Sequence, residues 1–469
     1  MQLWIEWFQC VHQLRHACSR KRSFLWMALV LSAMAIRSEI LGVTSFVRAS
    51  FLNPYCYELL LHFFHSSALS LSLLLEAWVK LAMKLFSPVT EDGYVIFVAD
   101  GLKVPKEGKK MPAVKSLHQE SGNNSKPEFI MGHSFQAVSL LVHSAVGQVF
   151  AVPLVSRICE GLIWNRNGKR KSLLDKLVVI FLEVARIADV PAILAADAYY
   201  AGRTVIEPLL AVGYHLITRA RINSVAYRPA PKSKKRKRGR PKKYGPKVKL
   251  RNLFKAGRAF IEASSPVYGE ENVTIKYRVV DLLWRPVGRM VRFVLVKHPT
   301  RGNIILMSTL PELDPLTIIK VYGWRFKIEV SFKQAIHTLG TYAYHFWMKP
   351  MKPIKRCSGN QNIAGRSEQY KQAVQRKMDA YHRYVQLGCI AQGLLQHLAI
   401  NFRETVWTQF RSWLRTMKTD LVPSEMVVSY ALKSSFLDFL LDTTTEPELK
   451  KFIIDRAESD RIPGVNMAA

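Results

Sequence analysis

Hydrophobic and polar positions change their rhythm several times along the chain. Up to about residue 88, Phe24–Leu41 and Tyr57–Phe86 are dense in Leu, Met, Ala and aromatics, with isolated charges such as Glu76 and Lys80. This predicts a helical region, whether packed as part of a larger body or as a small DNA-binding domain. The rhythm then shortens. Tyr94-Val95-Ile96-Phe97-Val98-Ala99 is a continuous apolar run ending at Asp100-Gly101, as in a strand covered on both faces. A polar, Lys- and Gly-containing loop is expected to about Phe129. Strands at Ser134–His143 and Gln148–Val155 flank the turn Ser144-Ala145-Val146-Gly147. Leu173, Leu174, Leu177, Val178, Phe181, Leu182 and Val184 form a broad apolar face at helical spacing within 171–187. Ala192–Ala196 is a further buried strand ending at Asp197, followed by a short helix and a strand at Tyr214–Thr218.

The order strand-Asp, hairpin, helix, strand-Asp, helix, strand predicts a mixed α/β sheet. It carries carboxylates at the carboxyl ends of two strands, where ligands and chemistry sit in α/β sheets. Val273–Leu283, Met290–Val296 and Asn303–Ser308 read as strands of a small β-rich insertion. A helix is then expected from Asp314 to Leu339, with Asp314 capping its first amides and Pro315 at the first helical position. Its Tyr322, Arg325, Glu329 and Lys333 are three, four and four apart and share one face, while Ile318, Val321, Ile328 and Phe332 supply the buried side. Beyond it the chain is basic and loop-like over 349–361, helical over about 368–415, and less defined from about Asp420. These shifts divide the chain into a helical region (1–88), the first part of the α/β core (89–222), a basic loop with the β-rich insertion (223–312), the second part of the core with the charged helix (313–350), and a basic linker with a helical C-terminal region (351–469).

Charge alters this picture more than composition does. Sixty-eight Lys and Arg against 35 Asp and Glu leave a formal balance of +33 in 469 residues, which points to a polyanionic partner, most often nucleic acid. Residues 219–258 contain seventeen Lys or Arg and no acid. The densest part, 232–243, is expected to be a flexible loop contacting phosphates through Lys234, Lys235, Arg236, Lys237, Arg238, Arg240, Lys242 and Lys243. Arg238-Gly239-Arg240-Pro241 resembles the short AT-hook core that lays arginines in a narrow minor groove. The six cysteines include no Cys-x-x-Cys pair, which argues against a structural zinc site or a disulfide framework and fits a reducing compartment. Arg20-Lys21-Arg22 before the apolar run Phe24–Ile36 imitates a signal peptide. That run is too short to span a bilayer, so a buried helix is expected, with no membrane role and a cytoplasmic, nucleoid-associated location.

Asp100, Asp197 and Glu329 stand out as one candidate constellation. If they converge, the three carboxylates can share two divalent cations about 3.5–4 Å apart, the arrangement for in-line attack at phosphorus. Hard oxygen ligands that leave room for water suit Mg²⁺, or Mn²⁺, rather than zinc. Taken singly, each aspartate reads more simply as a polar strand terminator, and the charged helix face equally as a solvated surface. His133 could approach such a site but reads more simply as a hydrogen-bonded core residue. Lys103, Lys106, Lys109 and Lys110 could touch DNA or be solvated.

The order Asp, Asp, β-insertion, Glu resembles the DDE transposases of bacterial insertion sequences. It is most similar to the cut-and-paste group whose third acid lies in a Tyr-x-x-Arg-x-x-x-Glu-x6-Lys signature. Tyr322, Arg325 and Glu329 match; position 336 is Ile, and the nearest lysine is Lys333, one turn after Glu329. The resemblance covers about residues 94–350. It implies an RNase H-like catalytic core, metal-dependent hydrolysis and strand transfer at terminal inverted repeats of double-stranded DNA, joining to target DNA, and a homodimer pairing two ends. Tyr322, Arg325 and Lys333 would then hold phosphates, and Trp284 could stack on an extruded base or simply be core. A nuclease of the same core without strand transfer, and a non-catalytic basic DNA-binding protein, are the alternatives.

Overall fold

The computed structural model describes residues 2–119, 127–165, 171–231, 241–442, 444–458 and 460. The chain divides into two units, one formed by residues 88–100 and 174–328, the other by 1–87, 101–173 and 329–469.

The first unit is built on a mixed sheet. Tyr94–Pro105, Ala192–Ala196 and His215–Ala220 run parallel. The strands then continue antiparallel through Gly302–Ser308, Arg289–His298 and Thr274–Trp284. Thr274–Trp284 in turn pairs with Ile261–Ser264 and with Val225–Pro229, which carries Tyr244–Lys249 at the outer edge. The parallel strands are buried on both faces, as their unbroken apolar runs require. The helix Leu173–Ala188 covers one face with Leu177, Phe181 and Val184, and the Phe181 ring meets Phe97 edge-on at 5.9 Å. The β-rich insertion therefore extends the same sheet. The predicted strands there are right to within two residues at each end, because their alternation was unambiguous.

The charged helix differs from its expected form. Asp314 does cap it, accepting from the Thr317 amide at 2.8 Å with Pro315 in the first turn. But the helix runs only Pro315–Trp324, and a second begins at Lys327 and ends at His337. Between them the Arg325 amide reaches back to the carbonyls of Val321 and Tyr322, and Phe326 to Gly323, so the turn tightens toward three-residue spacing. Gly323 costs helix stability at that point, and the Arg325 side chain is held by a partner on another strand.

The second unit is organised by the helix Glu368–Asn401. It packs on the antiparallel hairpin Phe129–His143 and Val149–Ile158, and on the helices Lys21–Ile36, Cys56–His65 and Leu71–Leu85. The hairpin has a bulge at Leu154, between Val138 and Ser139 of its partner strand. Gln386 Nε2 donates to the Leu154 carbonyl at 2.8 Å, supplying a partner where the ladder is interrupted. The apolar run from Phe24 to Ile36 is a buried helix, as expected. Among the described residues no helix is long and apolar enough to cross a membrane. The C-terminal region, expected to be less defined, folds into helices at Glu425–Ser434, Phe436–Leu441 and Pro447–Ile454. Helices this short carry little periodic signal; packing of Glu425–Ser434 and Pro447–Ile454 against Lys21–Ile36 supplies the stability that propensity does not.

Glu425 heads a buried polar layer in this unit. Its Oε1 accepts from Gln396 Nε2 at 2.9 Å and Gln392 Nε2 at 3.4 Å, while the Oε1 atoms of both glutamines are buried without a donor. Burial raises the Glu425 carboxyl above its ordinary value. An acid raised on folding contributes stability below its unfolded pKa and loses it as pH rises through the folded value. The Glu425→Gln protein is therefore expected to gain stability relative to the parent between pH 5 and pH 8. It should be at least as stable at pH 8, because its amide can donate to the orphaned glutamine oxygens. The histidines His133, His382 and His397, which burial keeps neutral, contribute alike to both proteins and cancel in the difference. Urea titration at the two pH values checks this.

Candidate active site

In the first unit the parallel register Val95↔Ala192 to Ala99↔Ala196 ends immediately before Asp100 and Asp197. The neighbouring register ends at Ala196↔Thr218, immediately before Asp197 and Arg219. Asp100 and Asp197 thus follow the last paired residues of neighbouring parallel strands, as do Asp197 and Arg219. The strand expected to end at Asp100 instead continues to Pro105, and only the strand before Asp197 stops at its acid. The strands cannot offer these side chains further back, since every position before them is filled by apolar core.

The helix Pro315–Trp324 and the tightened turn after it supply the partners of both acids. Arg325 Nη1 lies 2.9 Å from Asp100 Oδ2 in a largely buried ion pair. The Tyr322 hydroxyl donates to Asp197 Oδ1 at 3.4 Å, a long bond. Burial first, with the Asp197 charge adding to it against the opposing Arg325, pushes the Tyr322 phenol up to about 12, so it remains a donor throughout the neutral range. The Thr218 hydroxyl donates to the Asp197 carbonyl at 2.9 Å and fixes the backbone where the strand ends.

Asp197, Arg219, Tyr322 and Arg325 open onto a cavity of about 550 Å³. Its other side is formed by the insertion, with His298 and Arg301 among the lining residues. His298 Nδ1 accepts from the amides of Thr300 and Arg301 at 3.2 Å, so its proton sits on Nε2 and faces Glu270 Oε2 at 3.1 Å. Burial raises the Glu270 carboxyl, but hydrogen bonds from Ser265 and His298 and the Arg301 charge outweigh it and hold the group low. The exposed rings at this cavity are Tyr268 and Phe326. Lys327 Nζ lies 4.0 Å from the Tyr268 ring centroid.

The remaining residues singled out by sequence are placed as follows. Glu329 is half-buried on the helix Lys327–His337, in the residues of the second unit, and Lys333 is exposed on the same helix. Trp284 is buried within the insertion, its ring edge toward Phe293 at 5.5 Å, and is a packing group as placed. His133 is fully buried and bonds the Pro112 carbonyl at 2.9 Å, the core histidine expected. Lys106 is buried too, its ammonium donating to the carbonyls of Tyr342 and Tyr344, so it is unavailable to DNA. Lys234, Lys235, Arg236, Lys237, Arg238 and Arg240 lie outside the described residues. Lys242 and Lys243 are exposed beside the edge strand Tyr244–Lys249, and the Lys243 carbonyl accepts from the Ala230 amide. Sequence reasoning passed over Arg219, Tyr268, Phe326 and His298. Of these only Arg219 had a local signal, a cation one residue past a predicted buried strand.

Among the described residues no three His, Cys, Asp or Glu side chains group so as to hold a metal ion. What stands together is a pair of aspartates just past the paired stretch of adjacent parallel strands, one oxygen of Asp100 bound to a guanidinium. Such a donor set is hard and anionic and fits Mg²⁺ or Mn²⁺ better than zinc.

Residues 52–258 match a family model described as DDE superfamily endonuclease. The matched stretch includes Asp100 and Asp197 and ends before Tyr322, Arg325 and Glu329. No curated protein matches the chain. With that likeness, the parallel strands that carry these acids form an RNase H-like core in a mixed α/β protein, and the chain is similar over this stretch to endonucleases, enzymes that cut nucleic acid chains.

Proposed function

We propose that the protein is a DNA transposase that cleaves and joins DNA at insertion-sequence ends, with Asp100, Asp197 and Glu329 as its catalytic and metal-binding acids. The observation that carries this reading is that Asp100 and Asp197 follow the last paired residues of adjacent parallel strands and are met there by Arg325 and Tyr322. Two purely structural acids do not call for two largely buried donors brought from a distant helix and the turn after it. Divalent cations, when bound, would activate a water or 3′-hydroxyl and stabilise the leaving oxygen.

The chain's own residues have separable tasks in this scheme. Tyr322 keeps one Asp197 oxygen oriented toward the cavity. Arg325 neutralises Asp100 while the site holds no cation, and is a candidate for the phosphate once Asp100 is otherwise engaged. Arg219 and Arg301 add positive charge around the cavity, which raises the local concentration of a polyanionic substrate. Glu329 completes the acid set from the following helix, and Lys333 substitutes for the lysine that Ile336 replaces. Two copies, each handling one end, would form the working assembly.

An endonuclease without joining activity is the nearer rival, since the matched family is described by cleavage. The deciding experiment incubates the full chain with DNA carrying its own flanking ends, with and without Mg²⁺. Excised and joined products are expected only with the cation. Cleavage without joining would reduce the reading to a nuclease, and DNA binding with no cleavage under either condition would remove the enzymatic reading.

A further inference from the structure

In the second unit, two segments remote in sequence are stitched together at the surface. The Ile354 amide donates to the Lys109 carbonyl at 2.7 Å, Met348 to Lys110 at 3.1 Å and Ser116 to Ser358 at 2.7 Å. Gln361 Nε2 clamps the far end, donating to the Met111 and Val114 carbonyls at 3.0 and 2.8 Å. Backbone hydrogen bonds thus hold a stretch with little regular secondary structure in one place, and Phe346, Met348 and Met351 anchor it from beneath.

The outward side chains are almost uniformly cationic. Lys109, Lys349, Lys352, Lys355 and Arg356 are exposed, and Glu107 is the sole acid in residues 103–118 and 345–361. Amid them Trp347 is 62% exposed. An indole left in water beside two buried neighbours is unexplained by packing. It is not part of an apolar face either, since the residues flanking it point inward.

We infer that this strip is a second DNA-binding surface, its cations on the phosphates of a duplex and Trp347 seated in the groove against the bases. The inference deepens the proposed function, resting on its premise that the substrate is DNA, and assigns a contact outside the acidic site. Fixed cations match the regular charge of a duplex backbone, and a protruding apolar side chain is what minor-groove binders set against a base step. An anionic membrane fits less well, because binding in the lipid interface requires a contiguous apolar face, whereas the exposed rings here, Trp347 and Phe129, stand among cations.

The test is a salt series of fluorescence anisotropy titrations of a labelled duplex with the full chain in EDTA. Because no metal is present, the result stands whether or not the chain cleaves DNA. The protein carrying Lys349→Gln, Lys352→Gln, Lys355→Gln and Arg356→Gln should lower the magnitude of the log K against log salt slope by roughly 2–4. Trp347→Ala should weaken binding roughly fivefold or more with the slope unchanged, and Trp347→Phe should restore most of it. Circular dichroism melting of each protein verifies that these surface changes leave the fold intact. A fourfold variant that keeps the parent's slope and affinity overturns the proposal. So does a variant that loses only its affinity for vesicles containing anionic phospholipid. An unaltered affinity in Trp347→Ala overturns the role given to the indole.

Discussion

Replacing Asp197 by Asn is expected to slow Mg²⁺-dependent strand cleavage by at least roughly a thousandfold while leaving duplex binding intact or slightly tighter. Asparagine preserves the shape and the carbonyl oxygen that accepts from Tyr322, so the local fold has no reason to move. It removes the negative charge that a hard cation requires. Asp197 is a cleaner probe than Asp100. Asp100→Asn would also strip the buried Arg325 of its ion-pair partner at 2.9 Å, mixing a loss of stability with a loss of chemistry. Single-turnover cleavage rates and anisotropy, measured on the same preparation, separate the two quantities. Cleavage within tenfold of the parent's would remove Asp197 from the catalytic set.

The second large effect is expected far from any acid. Arg37 is 4% exposed, and its guanidinium reaches the Leu339, Gly340 and Gly42 carbonyls, the Ser45 hydroxyl and the Tyr384 hydroxyl. It also lies over the Phe46 ring at 4.7 Å. Gly340, at φ +62°, turns the chain just after the helix that carries Glu329, and an added Cβ there would press on Ile40 and on Arg37 itself. Arg37→Met keeps much of the volume but takes the guanidinium from the buried Leu339 carbonyl, a group worth about 1–3 kcal/mol when left without a donor. It also removes one donor each from the Gly340 and Gly42 carbonyls and the Ser45 and Tyr384 hydroxyls, together with the contact over the Phe46 ring. A loss of about 3 kcal/mol or more is expected, read from the urea midpoint. Arg37→Lys should recover little of it, because an ammonium cannot span acceptors placed around a planar fork. A loss below about 1 kcal/mol would show that water replaces the guanidinium.

These two residues differ in how visible they were. Asp197 could be found because five apolar residues precede it and a turn follows, a pattern that marks a buried strand's end whatever the rest of the chain does. Asp100 stood out by the same apolar run, although its strand does not end there but continues to Pro105. Arg325 and Glu329 stood out for their spacing on one helix face. Arg37 could not be found: an arginine after an apolar run reads as a surface helix end. Its role depends on carbonyls some 300 residues away in sequence. The C-terminal helices were obscured similarly, being too short for a periodic signal and stabilised by contact.

The interruption at Arg325 shows the limit within a single element. Capping by Asp314 and Pro315 was legible because those effects act over one turn. The break was not, because it involves the pairing of Arg325 with a strand more than 200 residues earlier. Trp284 illustrates the converse: the family resemblance offered it as a stacking group, its residue type read as core, and it lies buried among the surrounding strands.

By itself, the sequence determined the apolar strands that lead into Asp100 and Asp197, the helix between them, and the excess of positive charge. Each is set by local periodicity or by composition, which need no knowledge of distant partners. The strands at Lys115–His118, Val225–Pro229, Tyr244–Lys249 and Ile261–Ser264 were not legible in it. Only the tertiary structure decided that Asp100 and Asp197 follow the last paired residues of adjacent parallel strands, that Lys106 and Trp284 are buried, and that Trp347 is not. Register and burial are properties of pairs of segments, and a single chain read in order does not contain them.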